Sequence, residues 1–190
     1  MKTFLSIVLV LLCVFSACKS DDTPEPGEVV TLQLDQQQFL SPILPSGTYE
    51  FAVRFEPSDL EVVAGGKLFE AEIYVFELPS NMQLKVYSGT AMDQPATVVH
   101  QQDITLGRSP NEWNTIALSD SVDIPENDDL WISVRFTQAA DQQIIGCDQG
   151  PAAPNGDWFW DSEVRIWQTY REASNNGTNV NWNIRGKAVN

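Results

Sequence analysis

Apolar residues recur at every second position in a series of short runs from Val29 to the end of the chain. Tyr49, Phe51, Val53 and Phe55 alternate with Glu50, Ala52, Arg54 and Glu56, the period of a strand that buries one face. Phe69, Ala71, Ile73 and Val75 predict a second such face, and Met82, Leu84 and Val86 a third. Val98, Ile104 and Leu106 continue the series, followed by Ile116 and Leu118. Leu130, Ile132, Val134 and Phe136 make the cleanest strand; Val164 with Ile166, then Val180, Trp182, Ile184 and Ala188, close the set. Turn formers separate the runs: Pro45-Ser-Gly47, Gly65-Gly66, Pro79-Ser-Asn81, Pro110-Asn111, Pro125-Glu-Asn127 and Asn155-Gly156. No stretch keeps helical spacing over an ordinary helix length. Pro57 to Val63 is expected to form one or two helical turns, with Pro57 at the first position. Short strands at near-regular spacing predict an all-β antiparallel sandwich or barrel, a single domain over residues 29–190.

The same alternation sorts the tryptophans, because side chains two apart share a face. Trp182 is in phase with Val180 and Ile184 and belongs to the core. Trp131 and Arg135 are out of phase with Leu130 and Ile132 and point outward. With Val164 and Ile166 inward, Trp167 also points away from the core, and Trp158 shares a face with Trp160. An outer indole offers an apolar platform to sugar C–H groups or to a protein partner, unless a second layer covers it. Trp158, Trp160 and Trp167 are therefore candidate ligand contacts, expected to line a shallow groove beside the Gly/Pro-rich loop from Gly146 to Gly156. Asp148 and Asp157 flank that loop. They are either further ligand contacts on a loop held by a rigid sandwich or fasteners for the loop's own amides.

The N-terminus has a different pattern. Lys2 precedes an eleven-residue apolar run from Phe4 to Val14, and small residues follow, as in a bacterial export signal over residues 1–17. As a helix the run rises about 16 Å, against a hydrocarbon core of about 30 Å, so it does not span a membrane. Ser16-Ala17-Cys18 resembles the lipobox of bacterial lipoproteins, departing from it at Phe15 where leucine is usual. The resemblance implies cleavage before Cys18 and acylation of its thiol. Residues 18–28 then form an acidic, proline-bearing tether, at most about 35 Å long when extended. Lys19, Asp21 and Asp22 resemble the export signal that carries Bacteroidetes lipoproteins to the outer face of the outer membrane, with a periplasm-facing location as the alternative.

Charge narrows the partners. The chain of 190 residues carries a formal net charge of −15, one unit more negative once Lys2 leaves with the signal. Such a chain is repelled by nucleic acid and by anionic head groups, so membrane attachment must come from acyl chains on Cys18. Of the 3 cysteines, Cys13 leaves with the signal and Cys18 is acylated, which isolates Cys147 and excludes a disulfide framework. The alternative is a Cys18–Cys147 bridge in a chain without lipid.

Catalytic motifs are sparse. His100 is the one histidine and reads as a surface-strand residue. No His-Glu-x-x-His pair or Gly-x-Ser-x-Gly elbow occurs. A two-carboxylate glycosidase is not excluded by 26 acidic residues. Glu126-Asn-Asp128-Asp129 reads as a solvated turn, lacking the spacing of a calcium loop. Asp120-Ser121-Val122 resembles the short O-glycosylation triplet of exported Bacteroidetes proteins.

In order along the chain, Phe51-Ala-Val-Arg-Phe-Glu-Pro57, Leu84-Lys-Val-Tyr-Ser-Gly89, Glu112-Trp-Asn-Thr-Ile-Ala-Leu118, Asp123-Ile-Pro125, Leu130-Trp-Ile132, Cys147-Asp-Gln-Gly-Pro151, Gly156-Asp-Trp158 and Asn181-Trp-Asn-Ile-Arg-Gly186 resemble the cleaved-adhesin modules that follow the gingipain proteases. The resemblance spans about Tyr49 to Val189. It implies a galactose-binding-like jelly roll and a non-catalytic adhesion or accessory role toward a glycan or protein partner. It leaves structural calcium open, with no ligand motif matched to residues here. The other readings are a structural subunit of an envelope assembly and, third, a carboxylate-dependent hydrolase.

Overall fold

The structure, a computed structural model, describes residues 27–37, 40–175 and 177–190. The signal, Cys18 and nearly all of the tether lie outside the described residues. Four strands form one antiparallel sheet in the order β1 (Val30–Leu32), β10 (Ile184–Val189), β3 (Lys67–Val75), β6 (Glu112–Asp123). Six form the other: β5 (Gln94–Asp103), β4 (Asn81–Ala91), β7 (Leu130–Gln138), β2 (Gly47–Phe55), β8 (Trp158–Asp161), β9 (Trp167–Thr169). The chain changes sheet at every connection except β4–β5, β7–β8 and β8–β9, the repeated crossing of a jelly-roll sandwich.

Inward residues of both sheets make one core. Phe51, Val53, Ile132, Val134, Leu84 and Val86 from the larger sheet meet Leu68, Ile73, Ile116 and Ile184 from the smaller. Trp182 is fully buried and stacks on Phe51 with ring centroids 4.0 Å apart. Its Nε1–H donates to the Trp158 carbonyl at 2.9 Å, so its polar edge is satisfied without water. The helical segment falls where the sequence puts it: α1 (Pro57–Leu60) continues as a 3₁₀ turn, Glu61–Val63. A second short helix, α2 (Tyr170–Ala173), follows β9 directly.

Four readings of phase need correction. The inward residue at the start of β3 is Leu68, and Phe69 is half-buried, because a bulge between Leu68 and Glu70 shifts the alternation by one. Val164 and Ile166 belong to no strand; both sit exposed in the turn between β8 and β9. Leu106 lies beyond the end of β5 and is exposed, as is Val98 on this edge strand. His100 is buried, with Nε2 3.3 Å from Gln102 Oε1, rather than a surface histidine.

A groove on the outer face of the larger sheet

Strand register assembles the outer face of the six-stranded sheet. Arg135, Glu50, Trp160 and Trp167 lie in one row across β7, β2, β8 and β9; Lys85, Ser133, Ala52, Trp158 and Thr169 form the next, starting from β4. Tyr87, Trp131 and Arg54 form a third. The outer face of a sandwich is commonly polar and wet. Here it carries a second, smaller core of Ala52, Tyr87, Trp131 and Trp158, with Trp167 packed against it.

Trp131 does point outward, as its phase requires, yet it is fully buried. Trp158 and Trp167 approach it at centroid distances of 5.0 and 6.0 Å, the guanidinium of Arg54 lies 5.7 Å from its ring, and its Nε1–H donates to Thr90 Oγ1 at 3.0 Å. Arg54 is held by Asp129 at 3.0 Å and Glu56 at 3.5 Å. Asp129 is therefore a buried ion-pair partner and not part of a solvated turn.

Beside this cluster lies a charged one. The Glu50 carboxylate, 2% exposed, accepts from Tyr87 Oη–H at 2.6 Å and Ser133 Oγ–H at 2.7 Å on one oxygen. Its other oxygen faces Lys85 Nζ at 3.0 Å and Arg135 at 3.5 Å. Burial, then the charge of Glu50, push the Tyr87 hydroxyl well above its ordinary value of 10.0. Arg135 also lies over the Trp160 ring, 4.6 Å from its centroid.

The groove opens where the tip of the β4–β5 hairpin faces β9 and α2. It encloses about 490 Å³ and is lined by Asp93, Trp158, Trp167, Gln168, Thr169 and Glu172. Met92 and Asp93 form the hairpin turn with φ of 51° and 58°, a left-handed pair that makes the tight connection and leaves Asp93 exposed. A capping box fixes the other wall. Thr169 Oγ1 accepts from the Glu172 amide at 3.2 Å, and Glu172 Oε2 accepts from the Thr169 amide at 2.9 Å. The Thr169 amide, and then the Thr169 hydroxyl donating to the same oxygen at 2.8 Å, hold the Glu172 carboxyl below its ordinary value of 4.5.

Of the residues singled out by sequence, the structure brings Trp158 and Trp167 into this groove. Trp160 shares their face but lies under Arg135, outside the lining. Trp167 faces outward because β9 begins there, not because Val164 and Ile166 face inward. Asp148 and Asp157 are elsewhere. Asp148 Oδ1 accepts from the amides of Gly150 and Asn181, both at 2.8 Å; its Oδ2 accepts from Asn181 Nδ2 at 2.8 Å and the Gln36 amide at 3.1 Å. It fastens the loop. Asp157, wholly buried, accepts from the Arg171 amide at 3.0 Å, and burial raises its carboxyl above the ordinary 3.8. The thiol of Cys147 is buried and pushed up to about 12 by that burial, with Asp148 adding to it. Among the described residues, no three His, Cys, Asp or Glu side chains converge as a metal site.

Sequence reasoning missed Glu50, Lys85, Asp93 and Glu172. A glutamate three residues after Thr169 was the available signal for a capping box.

No family description matches the chain, and no curated protein matches it. A solved structure that resembles it is a clostridial cysteine protease, Cwp84, in a cysteine-to-alanine variant after propeptide cleavage. The two share 10% identity at a TM-score of 0.58, over 85% of this chain and 40% of the protease. Similarity at that identity is a likeness of fold alone. The class defined is thus an antiparallel jelly-roll sandwich with an aromatic groove on the outer face of its larger sheet.

Proposed function

We propose that this chain is a lipid-anchored cell-envelope protein whose sandwich binds a glycan without performing chemistry on it. The observation that carries the reading is the groove at Trp158 and Trp167. A sugar ring has an apolar C–H face and a rim of hydroxyls. The two indoles suit the first; Gln168, Thr169, Asp93 and Glu172 offer donors and acceptors for the second. A volume of about 490 Å³ lies within the range of about 300–1,000 Å³ typical of small-ligand sites.

A binding role fits better than hydrolysis. A glycosidase's acid carboxyl is held above its ordinary value, whereas hydrogen bonds from Thr169 shift that of Glu172 the other way. The anchor rests on Ser16-Ala17-Cys18, and surface display on Lys19, Asp21 and Asp22.

Two experiments test the reading. Glycan-array binding by the mature chain should be specific and should drop at least tenfold, about 1.4 kcal/mol, in Trp167→Ala. No glycan bound by a folded wild-type chain would sink the ligand half. For the anchor, Cys18→Ala should abolish fatty-acid labelling and move the protein to the soluble fraction. Unchanged detergent partitioning of that variant would sink the lipoprotein half.

A further inference from the structure

We infer that the groove selects a sugar bearing a free amine, a deepening that rests on the glycan reading above. Its lining contains two carboxylates, Asp93 and Glu172, and no cationic side chain. The cations nearest the aromatic cluster are already committed. Arg54 is paired with Asp129 and Glu56, and Arg135 with Glu50 while it covers Trp160. A ligand entering the groove therefore meets half-buried Trp167, the exposed part of buried Trp158 and two carboxylates, of which Glu172 also feels the charge of Arg171.

Each component favours an ammonium group. An indole ring attracts a cation through its quadrupole, tryptophan most strongly of the aromatic side chains. Glu172 is held in place by Thr169 through Oε2, which leaves Oε1 outside those bonds. Asp93 reaches the opposite wall from a fixed turn. A uronic acid in the same position would face two like charges, and an N-acetylated sugar would lose the cation contacts while keeping its apolar face. The order expected is amine, then acetamide, then carboxylate.

The test uses the mature chain and three oligosaccharides of equal length: glucosamine, its N-acetylated counterpart and a uronate. Binding is read by calorimetry, with tryptophan fluorescence as a second signal. We expect roughly tenfold tighter binding of the amine over the acetamide, shrinking as salt is raised because exposed charges are screened. Asp93→Asn combined with Glu172→Gln removes both charges and keeps the backbone. Asparagine tolerates the left-handed turn, and glutamine still closes a capping box. In that variant the amine-to-acetamide ratio should fall severalfold, leaving only the part that the two indoles supply. Equal affinities in the parent, or a preference undiminished by the double substitution, overturn the inference and leave glycan binding standing. Failure of all three sugars to bind overturns both.

Discussion

Glu50→Gln isolates the energetics of the buried charge on the outer face. The side chain keeps its shape, and Gln Oε1 can still accept from Tyr87 and Ser133, while the charged oxygen facing Lys85 and Arg135 becomes an uncharged NH2 donor. Lys85 then suffers most. Its side chain is 10% exposed, against 35% for Arg135, so water can compensate the arginine far better than the lysine. Breaking a buried pair from one side costs about 3–5 kcal/mol, since the stranded ion keeps its desolvation penalty. With one partner partly wet, the lower end applies, about 3 kcal/mol. In urea, with a slope of about 2 kcal/mol/M, the midpoint should fall by roughly 1.5 M. The double variant Glu50→Gln/Lys85→Met removes the stranded charge and should recover most of the loss, ending within about 1 kcal/mol of the parent. A single-variant loss below about 1 kcal/mol, or a double variant no more stable than the single, would refute the argument.

Two of the outer-face tryptophans, Trp131 and Trp167, should separate in denaturant unfolding. Trp131→Ala, wholly buried, should cost about 3–5 kcal/mol, as much as Trp182→Ala, while half-buried Trp167→Ala costs about 1 kcal/mol. A larger loss at Trp167 than at Trp131 would contradict the packing described. Glu172→Gln should lower the melting temperature at neutral pH. Because hydrogen bonds lower the folded-state value, the carboxylate's contribution is present above its ordinary 4.5 and fades as pH falls through the folded value. Thermal scans should therefore show parent and variant converging in acid. A gap that widens in acid would mean the sign is wrong.

The sandwich was legible because alternation at period two follows directly from burying one side of a strand. Tyr49 to Phe55 and Leu130 to Phe136 do this without interruption, and they pair with each other residue for residue. Local irregularity was not legible. The bulge after Leu68 reassigns Phe69, and nothing in Lys67-Leu-Phe-Glu70 announces it. Val164 and Ile166 have strand-like side chains, but Asp161 Oδ1 accepts from the amides of Glu163 and Val164 and fixes a turn there. For the site, phase put Trp158 and Trp160 on one face, which is the outer face of the larger sheet, whereas Trp167 reaches that face by the start of β9 and not by the parity of Val164 and Ile166. It could not say that Trp131 would be covered. Coverage depends on Trp158 and Trp167 arriving from β8 and β9, which is a tertiary event. Glu50 and Lys85 each read as solvent-facing, since an ion pair between residues 35 apart leaves no local trace.

The corner after β1 has a mechanical meaning. A pull on the N-terminal end of the described chain reaches β1 first, and its three residues of pairing with β10 can peel away one at a time. The next stretch resists differently. Asp35 is clamped by Arg185, which donates from Nε at 3.0 Å and from a terminal nitrogen at 2.6 Å; Asn183 Nδ2 donates to it at 2.9 Å. One residue on, Gln36 is tied through its amide to Asp148 and through its carbonyl to Arg185. These bonds would have to rupture together, under shear, before the load entered the core. Tension arriving from the N-terminal side would thus load the Asp35–Arg185 cluster, at the margin of the smaller sheet, before it reached the aromatic face on the opposite layer.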